Sequence, residues 1–177
     1  MTRSLLLLLA CLLYVGQSFA HGPSRLKVEE SMVVKAPAAK VWALIGDFCT
    51  IDKWAPGIVK SDCQGGNEVG ASRVLTIGKD GGAQIAEELQ KYDAAAMSMK
   101  YKITKTDMAV LPVTTYSSFL SVKDNGDGTS TVDWRAGFYR GHPNNNPPAD
   151  QNDEAATRAV TGAYQGGLAH IKELVEK

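Results

Sequence analysis

The sequence contains no block of like charge. Its 19 basic and 19 acidic residues are interspersed and cancel, so no continuous positive surface is available to a nucleic-acid backbone or an anionic membrane. Histidine is scarce: His21, His142 and His170 fit no paired metal-ligand spacing. A glycine-rich phosphate loop and a nucleophile elbow are both missing. The longest apolar run, residues 5–16, is too short to span a bilayer. Internal repeats, low-complexity blocks and an internal domain boundary are absent as well. These absences exclude nucleic-acid binding, phosphate-loop chemistry and metal or triad catalysis as first readings, and they call for no cofactor.

What is present begins with a leader. Residues 1–20 carry one charge, Arg3, then the apolar run, then small residues at Ser18 and Ala20. That order is a secretory signal peptide cleaved after Ala20, which predicts a periplasmic protein with no membrane segment after cleavage. Residues 21–177 are long enough for one domain with a real core. Without Arg3 that domain has 18 basic and 19 acidic residues, a net charge of −1. An oxidising compartment makes Cys49 and Cys63 candidates for a disulfide. Against it, Cys63 lies along a strand leading away from Cys49, and disulfide geometry is demanding. Bonded and free thiols both stand.

Residues 152–177 organise the rest. At about 100° per residue, Ala156, Val160, Ala163, Tyr164, Gly167, Leu168, Ile171, Leu174 and Val175 share one side. Asn152 suits the N-cap, and Asp153 and Glu154 suit the positive end of the helix dipole. So long an amphipathic helix needs a large apolar partner. Ahead of it, strands are expected at 27–34, 58–63, 71–77, 84–92, 98–106, 115–123 and 132–139, separated by Gly-, Asp- and Asn-bearing turns. Asp124-Asn125-Gly126-Asp127-Gly128 is the clearest hairpin signal. Helical spacing of Val41, Trp42, Leu44, Ile45 and Phe48 follows Pro37, and a second short helix is expected over 50–54. Strand, two helices, six strands and a long helix make an α+β fold with helices on one face of a curved antiparallel sheet.

Alternation then predicts which side chains meet. A hairpin centred on Asp80 sets Arg73 opposite Glu87, Leu75 opposite Ile85 and Ile77 opposite Ala83. A turn centred on Ala94 sets Glu87 opposite Tyr101 and Leu89 opposite Met99. A turn centred on Asp127 pairs Val122 with Val132, Leu120 with Trp134 and Tyr116 with Phe138. Arg73 and Glu87 thus share the face of Leu75 and Ile85. One reading is a cross-strand ion pair at the sheet rim, its charges reaching water. The other is a cavity between sheet and helix, where Arg73, Glu87, Tyr101, Tyr116, Trp134 and Phe138 hold a small hydrophobic ligand.

Several motifs coincide with a known family. The segment Ala36-Pro37-Ala38-Ala39-Lys40-Val41-Trp42-Ala43-Leu44-Ile45-Gly46-Asp47-Phe48 with Trp54-Ala55-Pro56 opens the match. Gly70 with Arg73, Glu87-x-Leu89-x-x-Tyr92-Asp93, and Gly126-Asp127-Gly128-Thr129 with Trp134 continue it. This ordered set resembles the START/Bet v 1-like (SRPBCC) superfamily, of the polyketide cyclase/dehydrase-like kind. The resemblance implies a helix-grip fold: about seven antiparallel strands wrapped around a long C-terminal helix. Leu111-Pro112-Val113 with Tyr116-Ser117-Ser118, and Phe138-Tyr139-Arg140-Gly141 followed by Pro147-Pro148 and Asn152-Asp153, carry a finer likeness to the MxaD family of exported proteins. That likeness implies a non-enzymatic accessory role in methanol oxidation, with methanol dehydrogenase and its electron transfer to cytochrome c as the implied partners. It assigns no role to the two cysteines.

The loop at 140–151 is long for a strand-to-helix connection and stiffened by proline, so His142, Asn144 and Pro147 are candidate partner contacts. Gly162 and Gly166 weaken the helix, and close approach by a neighbour is the expected reason. The alternative to the accessory role is a carrier or sensor of a small hydrophobic ligand. A cyclase or lyase using Glu87 as base ranks third, since Arg73 opposite favours a structural or binding role.

Overall fold

In the computed structural model, residues 22–78 and 82–177 are described. The leader, His21 and the hairpin centre at Asp80 lie outside them. Alternating patterns form seven strands: β1 (Leu26–Val34), β2 (Ile58–Gln64), β3 (Ser72–Ile77), β4 (Ala83–Asp93), β5 (Ser98–Lys105), β6 (Val113–Asp124) and β7 (Ser130–Arg140). They make one sheet in the order β1-β7-β6-β5-β4-β3-β2, with each neighbouring pair antiparallel. Between β1 and β2 the chain crosses from one sheet edge to the other through α1 (Ala38–Ile45) and a 3-10 segment (Phe48–Lys53). The C-terminal helix α2 (Asp153–Val175) lies against the sheet.

The 3-10 segment starts two residues before the short helix expected at 50–54. The Asp47 side chain accepts from the Cys49 amide at 2.9 Å, and the Asn67 side chain accepts from the Phe48 amide at 2.8 Å. These acceptors satisfy the first free N–H groups and pin the turn. The segment packs back along β2, which brings the Cys49 and Cys63 Cα atoms to 5.3 Å in a disulfide. The strand therefore does not carry Cys63 out of reach.

Strand pairing follows the alternation with two instructive departures. Arg73 faces Glu87, Leu75 faces Ile85 and Ile77 faces Ala83, while Val122 faces Val132 and Leu120 faces Trp134. Between β4 and β5, however, Glu87 faces Ile103 and Leu89 faces Tyr101, with a register shift between Leu89 and Lys91. The expected partners are displaced by two residues. Because side chains alternate with period two, that displacement keeps Glu87 and Leu89 on the face shared with Tyr101, whereas beyond the shift Met99 faces Tyr92 instead of Leu89. In β6 a register shift between Thr114 and Ser117 leaves Tyr116 without Phe138 as its direct partner. Thr115 sits at positive φ there, and Tyr116 and Ser118 both stay buried.

Helix α2 begins where expected. The Asn152 side chain accepts from the Ala155 amide at 2.8 Å, and Asp153 and Glu154 occupy the first turn. Its last turn is tied down by Lys40, whose Nζ donates to the Val175 carbonyl at 2.6 Å. Ala156, Val160, Tyr164, Gly167, Leu168, Ile171 and Val175 are buried against the sheet. Ala163, placed by periodicity on that stripe, is exposed on its flank. The small residues also sort differently from expectation. A Cβ at Gly162 or Gly166 would meet nothing within 4 Å, whereas one at Gly167 would sit 2.6 Å from the Trp134 ring. Close approach is thus the role of Gly167 alone among the three.

Gly167→Ala is expected to displace Trp134 and lower stability by about 1–3 kcal/mol, the usual cost of overpacking. Gly162→Ala and Gly166→Ala, in open space on a helix, are expected to raise it by about 0.5–1 kcal/mol each. Urea unfolding of the three variants checks both signs.

Candidate functional site

Beneath the sheet's concave face, strand alternation brings two charges inside. Arg73 is 2% exposed and Glu87 6%. Arg73 Nε donates to Glu87 Oε2 at 2.6 Å. Its Nη2 lies 2.6 Å from the same oxygen but without hydrogen-bond alignment, and Nη1 donates to the Phe48 carbonyl. The guanidinium carbon stands 4.1 Å from the centre of the Phe48 ring and 5.0 Å from that of Tyr101. The rim reading is therefore corrected: the pair is buried beneath the sheet, with aromatic faces supplying part of what hydration would. Burial raises the Glu87 carboxyl pKa above its ordinary value, against the opposing pull of Arg73's charge and hydrogen bond.

Beside this pair lies a cavity of about 160 Å³. Its walls are mostly aliphatic, from Ile51, Leu75, Ile77, Ile85, Ile103 and Leu111. Polar groups gather on one side: Glu87, Tyr101, Tyr116, Trp134 and Tyr164. Exposed Pro56, Gly57, Val110 and Ala163 line the opening.

The polar groups form an ordered chain. Ser118 Oγ donates to the Arg135 carbonyl at 3.3 Å. A carbonyl only accepts, so Ser118's one proton is committed and Tyr164 must donate to Ser118 across 2.7 Å. Tyr116 in turn donates to the Tyr164 hydroxyl. Trp134 Nε1 donates at 3.0 Å to both Ser118 Oγ and the Tyr101 hydroxyl. Burial raises the Tyr116 and Tyr164 pKa values well above the ordinary phenol range. For Tyr101, burial and then Glu87's charge outweigh Arg73 and push the value up to about 12. All three tyrosines thus stay protonated donors in neutral water.

Four of the six predicted cavity residues line this space: Glu87, Tyr101, Tyr116 and Trp134. Arg73 stands behind Glu87 as its counter-charge, and Phe138 is core, with its ring centre 6.1 Å from that of Tyr116. Tyr164 and Ser118 were missed. The available signal for Tyr164 was a hydroxyl on the apolar stripe of α2, which demands a partner once buried. The predicted loop residues are elsewhere. Arg140 donates to the His142 carbonyl at 2.8 Å and the Asn144 carbonyl at 3.0 Å, and pairs with Asp153 at 3.3 Å. Asn144 is exposed, while His142 and Pro147 are half-buried. His170 Nδ1 meets the Trp54 carbonyl at 2.9 Å, a packing role.

Chemically, the carboxylate is held by Arg73 through one oxygen, which suits orienting a ligand better than abstracting a proton. Arg73→Met is expected to lower stability by about 3–5 kcal/mol by stranding a buried charge, and a second change, Glu87→Leu, to recover most of it. In Arg73→Met the Glu87 pKa has lost its lowering partner and rises further. A raised folded pKa means that stability is complete below the ordinary value of 4.5 and is lost as pH rises above it. Melting temperature should fall more steeply with pH above that value in Arg73→Met than in wild type, and parallel profiles would contradict this.

Comparison with known proteins gives a consistent placement. A crystal structure of an uncharacterized protein from Bacillus thuringiensis is 28% identical, with TM-score 0.71, covering 86% of this chain and 100% of that one. The protein XoxI from Bacillus cereus is also 28% identical, with TM-score 0.70, covering 84% and 94%. Ara h 8.0201, at 20% identity and TM-score 0.67 over 86% and 98%, shares the fold. No protein of curated function matches the chain. The seven-stranded sheet closed on a C-terminal helix is the Bet v 1-like helix-grip fold. The family model described as polyketide cyclase/dehydrase and lipid transport matches residues 25–176, and the chain belongs to that family.

Proposed function

We propose that the protein binds a small, largely apolar molecule between its sheet and α2. One observation carries this: an aliphatic cavity of about 160 Å³ that opens past Ala163 and ends on a polar cluster. Cavities of this kind are the usual ligand sites of single domains. The fixed hydroxyl chain and the Arg73-bound carboxylate favour holding over turnover, so the reading is a carrier or sensor. Ala163→Trp should plug the opening, because Ala163 is exposed and lines it. Binding of a solvatochromic apolar dye is expected to weaken at least tenfold with the melting temperature unchanged. Undiminished dye binding would place the ligand elsewhere.

A second reading concerns where and beside what the protein works. The disulfide between Cys49 and Cys63 supports export to an oxidising space, the periplasm, after cleavage of residues 1–20. The MxaD-like segments at 111–118 and 138–153 support an accessory role in methanol oxidation, with the loop at 141–151 meeting methanol dehydrogenase or cytochrome c. Arg140 and Asp153 hold that loop in one shape, and Asn144 is exposed on it. The test is the rate of cytochrome c reduction by purified methanol dehydrogenase, with and without this protein. An increase abolished by Asn144→Arg is expected, and an unchanged rate removes the reading.

A further inference from the structure

The cavity's polar side has two unused valences that together specify one functional group. Both contacts from Arg73 fall on Glu87 Oε2, and no donor among the described residues reaches Oε1. The Tyr101 hydroxyl accepts from Trp134, and no described residue takes its proton. The protons of Tyr116, Tyr164 and Ser118 are already committed along their chain to the Arg135 carbonyl. The cavity therefore offers a ligand one O–H donor, from Tyr101, and one carboxylate acceptor, from Glu87.

Resting on the binding reading above, we infer that the ligand is a small neutral alcohol or phenol whose single hydroxyl accepts from Tyr101 and donates to Glu87 Oε1. A hydroxyl satisfies both valences at once. A carbonyl satisfies Tyr101 alone and faces the carboxylate with its own negative end. A carboxylate ligand adds like charge beside Glu87. An ammonium gains little, because Arg73 already neutralises Glu87 and the walls are aliphatic. The size follows from the volume: an apolar cavity of about 150 Å³ accepts benzene, so the body is one six-membered ring or its open-chain equivalent.

Phenol, toluene and benzoate test this by isothermal titration on the full chain from residue 21. Phenol and toluene have the same shape and differ in the hydroxyl. Phenol is expected to bind at least tenfold more tightly than toluene, benzoate weakest, and Tyr101→Phe to erase the difference between phenol and toluene. Equal affinities in the wild type overturn the inference and leave the apolar site intact. No binding of either overturns both. As a separate check on the carboxylate, Glu87→Gln leaves Arg73's charge uncompensated and is expected to strengthen benzoate at least tenfold. Benzoate remaining excluded from a folded Glu87→Gln protein overturns the part assigned to Glu87.

Discussion

A helix with one apolar side cannot stay in water, and Trp134 is where β7 packs on α2. Its ring stacks on Tyr164 at 4.2 Å and 11° and reaches the helix backbone over Gly167, where any side chain would collide. Trp54 flanks the same ring at 5.4 Å. This contact sets the separation of sheet and helix. Two large aromatic rings hold the layers apart beside them, and aliphatic side chains too short to fill that gap leave the cavity. The space is a consequence of packing one bulky pair against a curved sheet, since close packing elsewhere leaves few such voids.

The same contact arranges the polar groups. Once Tyr164 is buried its hydroxyl needs partners, and Ser118 and Tyr116 from β6 provide them. Trp134 Nε1, buried with it, shares its proton between Ser118 and Tyr101. Each bond answers a desolvation demand created by the stack, and the result is rigid. The ion pair of Arg73 and Glu87 is anchored separately, through the Phe48 carbonyl and ring. Phe48 is held in turn by Asn67, and the neighbouring Cys49 is bonded to Cys63. The disulfide thus lies one residue from a group that positions the buried arginine. Two independent scaffolds, the aromatic stack and the 3-10 segment, meet at Tyr101, whose ring faces Arg73 while its hydroxyl joins the polar chain.

Local signals decided a great deal. Strand alternation alone turned Arg73 and Glu87 inward and set them opposite each other, and the Asn152 cap with its acidic first turn located α2. These features depend on residues near in sequence or joined by one tight turn, where period and turn chemistry leave little freedom. What tertiary structure decided depends on distance in the chain. The register shifts in β4 and β6 add residues that plain alternation does not count, and with a β4–β5 turn centred beyond Ala94 they leave Tyr101 facing Leu89 instead of Glu87. Which glycine admits Trp134, which tyrosine of α2 joins the cavity, and whether Cys49 reaches Cys63 all depend on how separate elements pack. Periodicity names the face a side chain occupies; only the assembled layers determine what stands across from it, because that partner comes from a distant part of the chain.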